Sequence, residues 1–112
     1  MQKQLRAYKA SLFQALAQPN RITILEVLRI QELSARNIQE RLGVEQTKLS
    51  QHLTILRDRQ IVTSRKDGNQ VFYSIRNPVL VEVLDIMCRY FQVNLVDAIQ
   101  LLVEVECEAP AR

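Results

Sequence analysis

The sequence predicts a small, mostly helical domain carrying one β-hairpin, and three observations predict it. Apolar residues recur at three- and four-residue spacing on both sides of one short stretch where the period changes. The punctuating residues Pro19, Gly43, Gly68 and Pro78 fall at the joints between those segments. The exceptional stretch, "IVTSRKDGNQVFYSIR", has two β-rich runs around Asp67-Gly68, a strong short-range hairpin signal. At 112 residues the chain is expected to be one domain with a single core. It has no run of eighteen uncharged apolar residues, so no spanning helix is expected. The N-terminus "MQKQLRAYKA" lacks the continuous apolar core of a signal peptide, which predicts a cytoplasmic protein.

The elements follow in order. Before Pro19, "LRAYKASLFQALA" places Leu5, Tyr8, Leu12, Phe13 and Leu16 at helical spacing. After it, Asn20 is the expected cap of a helix carrying Ile22, Ile24, Leu25 and Leu28. "SARNIQERLG" reads as a short helix with Ser34 as N-cap and Gly43 closing it. The turn "GVEQ" leads into "QTKLSQHLTILRDRQIV". At about 100° per residue, Leu49, Leu53 and Leu56 fall within about 60° of one another and form a buried stripe. Thr47, Ser50, Gln51 and Thr54 lie opposite, flanked by Gln46 and Lys48. No acid occurs between Gln46 and Arg57. Amides and hydroxyls on such a face read base edges, whereas a solvated helix face carries Glu and Lys at salt-bridging spacing. In the hairpin, Ile61, Thr63 and Arg65 alternate with Val62, Ser64 and Lys66, which puts the basic side chains close to the tip. From Pro78 to Val105 the chain is helical and apolar on nearly every side. Leu84, Met87, Phe91, Ala98, Leu101 and Val105 follow three-four spacing, with Asn94 in the seam. One long helix fits this segment, and so does a break at Asn94 followed by a second helix.

Helix, helix, helix-turn-helix, hairpin, helix is the order of a winged helix-turn-helix, which places one helix in the major groove and the hairpin on the neighbouring backbone. The charge divides accordingly. Residues 1–77 hold thirteen Lys and Arg against six acids, and residues 78–112 hold two against six. A basic working face is expected on the first part, with the last helix turned away from DNA. So much apolar helix on so small a subunit predicts a dimer interface. The single histidine, His52, lies at the edge of the apolar stripe. It has no second histidine to share a metal and no poised nucleophile to serve. It is therefore assigned to packing, with a phosphate contact as the other option. An enzyme, which needs convergent acid-base or nucleophilic groups, is rejected. No cofactor is expected.

Three segments, "LAQPNRITILEVL", "RLGVEQTKLSQHLTILRDRQIV" and "GNQVFYSI", resemble the ArsR/SmtB family of bacterial repressors over about residues 12–77. The resemblance implies a homodimer that binds double-stranded DNA at an imperfect inverted repeat and leaves it when an inducer binds. The dimer would form through the first and last helices, residues 1–18 and 78–106, with residues 12–77 as the DNA-binding part. Carried over by position, Gln46, Thr47, Lys48, Ser50 and Gln51 face the groove. Arg65, Lys66, Asn69 and Gln70 sit on the wing, and Arg21 matches a position open to a structural or a DNA-facing role. The family's metal positions depart from the pattern. Ser34 and Arg36 stand where one site has its cysteines. Of the other site, Asp85 survives beside Met87, Ala98 and Leu101. No metal is expected at either. The sequence names no inducer.

Two alternatives stand beside the repressor. One is a winged-helix module that binds protein. The other is a thiol-based redox sensor using Cys88 and Cys107. Thiol-sensing relatives pair a cysteine on the second helix with one on the last, and the second-helix position here is Glu26. Cys88 is expected to be a small buried apolar residue. Cys107 lies among Glu104, Glu106 and Glu108, which disfavour its thiolate. On one continuous helix the two sulfurs would stand roughly 28 Å apart, too far for a bridge within one chain.

Overall fold

The computed structural model describes residues 1–106. Its elements run α1 (Gln2–Leu16), α2 (Pro19–Leu28), β1 (Leu33–Ser34), α3 (Ala35–Leu42), α4 (Gln46–Asp58), β2 (Val62–Asp67), β3 (Gln70–Ile75) and α5 (Pro78–Glu106). They divide into two compact units, Met1–Pro78 and the helical segment that begins at Val79.

The core of the first unit is built from one face of each element. Ile24, Leu25 and Leu28 come from α2, Ile38 from α3, and Leu49, Leu53 and Leu56 from α4, joined by Ile61, Val62 and Tyr73. Ile24, Leu25, Ile38, Leu56 and Val62 are wholly enclosed. Each such side chain stabilises the unit by about 1.5–3 kcal/mol relative to exposure. α1 contributes only its last turn, Ala15 and Leu16, while Leu5, Tyr8 and Phe13 stay exposed.

The caps explain where the helices begin and end. Gln18, not Asn20, caps α2: its side-chain oxygen accepts from the backbone N–H groups of Asn20 at 2.7 Å and Arg21 at 3.2 Å. Pro19 takes the first helical position, where its missing N–H and preset φ fit. That places the cap two residues before Asn20, on a side chain long enough to reach the first-turn N–H groups. Ser34 caps α3, accepting from Asn37 N–H at 3.1 Å, and Gly43 closes it at φ 70°, both as expected. α4 ends without glycine. Gln60 sits at φ 60°, with Gln60 N–H donating to Arg57 O and Ile61 N–H to Leu56 O, both at 2.9 Å. This is the double reverse bond of a Schellman motif, with Leu56 and Ile61 buried beneath it.

The sheet has three antiparallel strands in the order β1-β3-β2. β1 was not expected, because two residues carry no alternation to read. The hairpin closes one residue later than the Asp67-Gly68 signal. Asp67 pairs with Gln70, so Gly68 and Asn69 make the turn. Positive φ falls on Gly68 alone, at 67°, the pattern of a type II′ turn with glycine first.

α5 is one continuous helix of 29 residues, so Asn94 does not break it. Leu84 and Met87 are half-buried, whereas Phe91 and Asn94 of the expected seam are exposed. The side chains of Ala98, Leu101 and Val105 lie outside the described residues, as does Cys107. Cys88 is exposed, not buried. It shares the helix with Ile86, Tyr90 and Phe91, which are likewise uncovered in the single chain, so burial by residue type did not apply. No helix among the described residues is long and apolar enough to cross a membrane.

Candidate nucleic-acid interface

α3, the Gly43 turn and α4 form a helix-turn-helix. Gly43 N–H donates to Gln39 O at 2.8 Å, and Gln39 Nε2 donates to Val44 O at 3.3 Å, which pins the turn from inside. With Leu49, Leu53 and Leu56 at 2%, 3% and 0% exposure, the orientation of α4 is set. Its opposite face, Gln46, Thr47, Lys48, Ser50, Gln51 and Thr54, is exposed along its whole length.

The hairpin stands beside that face. An open cleft of about 710 Å³ has Arg36 and Gln39 of α3, Gln46 and Ser50 of α4, and Asn69 and Gln70 of the hairpin among its walls. Four of the nine residues expected to face DNA thus meet around one cleft. Thr47, Lys48 and Gln51 lie on the exposed face of α4 without lining it. Lys66 is exposed one pair from the turn, where it opposes Val71. Arg65 is occupied: its Nε and Nη2 donate to the two oxygens of Glu32 at 2.8 and 2.9 Å.

Arg36 was not among the residues expected at this surface. Its side chain is 82% exposed, with Glu40 one turn on at a loose 3.9 Å. It sits in the first turn of α3, where the helix dipole disfavours a cation. That mismatch was the available signal of an anionic partner. Ser34, at the neighbouring metal position of the resemblance, is buried and engaged as the cap of α3.

His52 is half-buried at the edge of the apolar stripe and faces Arg21. Arg21 Nη1 lies 3.5 Å from His52 Nδ1, and Arg21 Nε donates to the carbonyl of Ala15 at 2.6 Å. Arg21 therefore ties the end of α1 to α2 and α4. Burial, then the charges of Arg21 and Lys48, hold the His52 imidazolium below the ordinary value of 6.5. A neutral ring can accept from the guanidinium; a protonated one cannot.

The pattern of the bacterial regulatory protein arsR family matches residues 18–64. The HTH-type transcriptional regulator Rv0081 of Mycobacterium tuberculosis is 35% identical over 104 residues, 92% of this chain and 91% of its own length. Its crystal structure superposes with a TM-score of 0.80 at 36% identity, over 85% of this chain and 96% of that one. The arsenical resistance operon repressor of Staphylococcus aureus is 32% identical over 67% of this chain and 72% of its own. The structure of HlyU from Vibrio cholerae, in its reduced form, matches at a TM-score of 0.72 and 31% identity, over 80% and 95%. A Mycobacterium bovis winged helix-turn-helix homodimer shares the fold, at 22% identity over 99% and 94% and a TM-score of 0.72. These relatives are transcriptional regulators and not enzymes. With a helix-turn-helix, a three-stranded wing and relatives of this identity along nearly its whole length, the chain belongs to the ArsR family of bacterial winged helix-turn-helix transcriptional regulators.

Proposed function

We propose that this regulator is a homodimeric repressor that binds an inverted-repeat operator through α4 and the wing, and that it needs no metal to do so. The observation that carries the reading is the exposed face of α4. It is acid-free from Gln46 to Arg57, polar and short-chained, and it opens on the same cleft as Asn69 and Gln70. In this reading Gln46, Thr47, Ser50 and Gln51 reach base edges, and Lys48 and Lys66 meet phosphates. Asn69 and Gln70 follow the backbone, and Arg36 adds a phosphate contact from α3. The uncovered apolar residues of α1 and α5 support a second copy as the dimer partner. Against metal sensing stand the engagement of Ser34 as a helix cap and a cation at position 36.

The thiol reading narrows. α5 runs unbroken from Cys88 to Glu106, about 27 Å along the axis at 1.5 Å per residue. A Cys88–Cys107 bridge within one chain is then out of reach, and a redox switch would have to join two subunits.

The test is selection of bound sequences from a random duplex pool, using reduced, chelator-treated protein. Enrichment of an inverted repeat is the expected result. No enrichment from a folded, dimeric preparation would overturn the reading and favour a protein-binding module. On the selected operator, Gln51→Ala should lose roughly 1–3 kcal/mol of specific binding per half-site with little change in non-specific binding. Equal losses of both would remove Gln51 from the base-reading set.

A further inference from the structure

Arg65 stands two pairs from the wing's turn, on the edge strand β2, where an arginine has solvent and the expected DNA backbone before it. Its side chain instead crosses the sheet. Arg65 pairs with Phe72 on the central strand β3, and Phe72 pairs on its other side with Ser34 of β1. The guanidinium carbon lies over the Phe72 ring, 4.7 Å from its centroid. Beyond the ring, the fork closes on Glu32, two residues before Ser34, with both bonds under 3 Å. The remaining nitrogen, Nη1, faces Asp67 Oδ2 at 3.6 Å. One side chain therefore reaches from β2 over β3 to the residue just before β1, and each of its three nitrogens faces a carboxylate oxygen.

A phosphate would have to displace Glu32 from a bidentate fork, the strongest geometry an arginine makes. It would also approach a cation already outnumbered by two carboxylates. Lys66, the next residue, has no such partner among the described residues. We propose that Arg65 is a positioning residue of the DNA-reading surface, locking the wing to the strand that leads into α3, and does not itself neutralise a phosphate. The inference rests on the DNA-binding reading above. It assigns Lys66 as the wing's phosphate-neutralising cation, and it makes Glu32, a residue no sequence signal marked, a contributor to operator affinity.

The test measures operator affinity against salt for the parent, Lys66→Ala, Arg65→Ala, Arg65→Lys and Glu32→Ala, each shown by thermal melting to be folded at the temperature of the binding assay. Each phosphate contact contributes about 0.9 to the log–log salt slope. Lys66→Ala, which removes one contact from each subunit of the dimer, should lower the slope by about 1.8. Arg65→Ala should weaken specific binding about fivefold, as loss of a good surface ion pair would, with the slope unchanged. Arg65→Lys keeps the charge but loses the fork and the ring stacking, so it should behave like Arg65→Ala. Glu32→Ala should also weaken binding. A slope reduced by Arg65→Ala and restored by Arg65→Lys, or tighter binding by Glu32→Ala, would make Arg65 a direct phosphate contact and overturn the inference. A parent without operator binding, and with no slope to lose in Lys66→Ala, would overturn the DNA reading and this inference with it.

Discussion

His52 shows how much one side chain's role depends on its neighbours. Its place at the edge of the apolar stripe was legible from helical spacing. Its partner was not, because Arg21 is thirty-one residues away and reaches it only through the tertiary fold. The same distance from sequence hid the fork between Glu32 and Arg65, and hid the exposure of Cys88. The His52–Arg21 contact has a consequence in pH. Burial, Arg21 and Lys48 lower the folded-state pKa beneath 6.5, so below that value the unfolded chain binds more protons than the folded one. The stability tied to neutral His52 is therefore complete above 6.5 and lost as pH falls through that value toward the lowered pKa. Urea unfolding should show a lower midpoint at about pH 5.5 than at about pH 7.5, and a smaller drop in His52→Gln. Equal drops in the two proteins would show that the contact is indifferent to the ring's protonation.

At the scale of the element, sequence pattern located α1 to α4 and the hairpin well, because each has a long apolar period and a local terminator. It failed where a longer side chain or a distant strand does the terminating. Gln18 caps α2 because Pro19 claims the first helical position, and β1 exists because β3 offers it a partner. The end of α4 is a further case: the left-handed residue is Gln60, not glycine. A residue with a Cβ pays roughly 1–2 kcal/mol there, against roughly 0.5–1 kcal/mol of extra unfolded-state freedom for glycine. Gln60→Gly should therefore stabilise the protein by roughly 0.5 kcal/mol or slightly more, raising the melting temperature by a few degrees. Calorimetry on the two proteins measures it. A lower melting temperature in the variant would mean that the Gln60 side chain contributes contacts outweighing the backbone strain.

For the whole molecule the sequence carried an amount of apolar helix that one subunit does not cover, and the structure gives its location. Val83, Ile86, Tyr90 and Phe91 of α5 are 41%, 55%, 63% and 54% exposed, and Leu5, Tyr8 and Phe13 of α1 are 51% to 61% exposed. The rings of Tyr90 and Phe91 already lie together, their centroids 5.8 Å apart and their planes tilted by 58°. In a two-fold assembly each such residue is buried twice, and Phe91 is about half covered already, so it accounts for about 1.5–3 kcal/mol of dimer stability. Phe91→Glu replaces that burial with two carboxylates in an apolar interface, and the expected product is a folded monomer. The loss for DNA binding should be larger than the loss of one contact, because in the proposed homodimer the second half-site binds as an intramolecular event. Without that tether, operator affinity should fall by about a hundredfold or more, while binding to a single half-site stays near the parent's intrinsic value. Sedimentation equilibrium and binding to whole and half operators check both parts. A Phe91→Glu protein that remains dimeric would move the interface away from this stretch of α5 and leave α1 as the surface to test next.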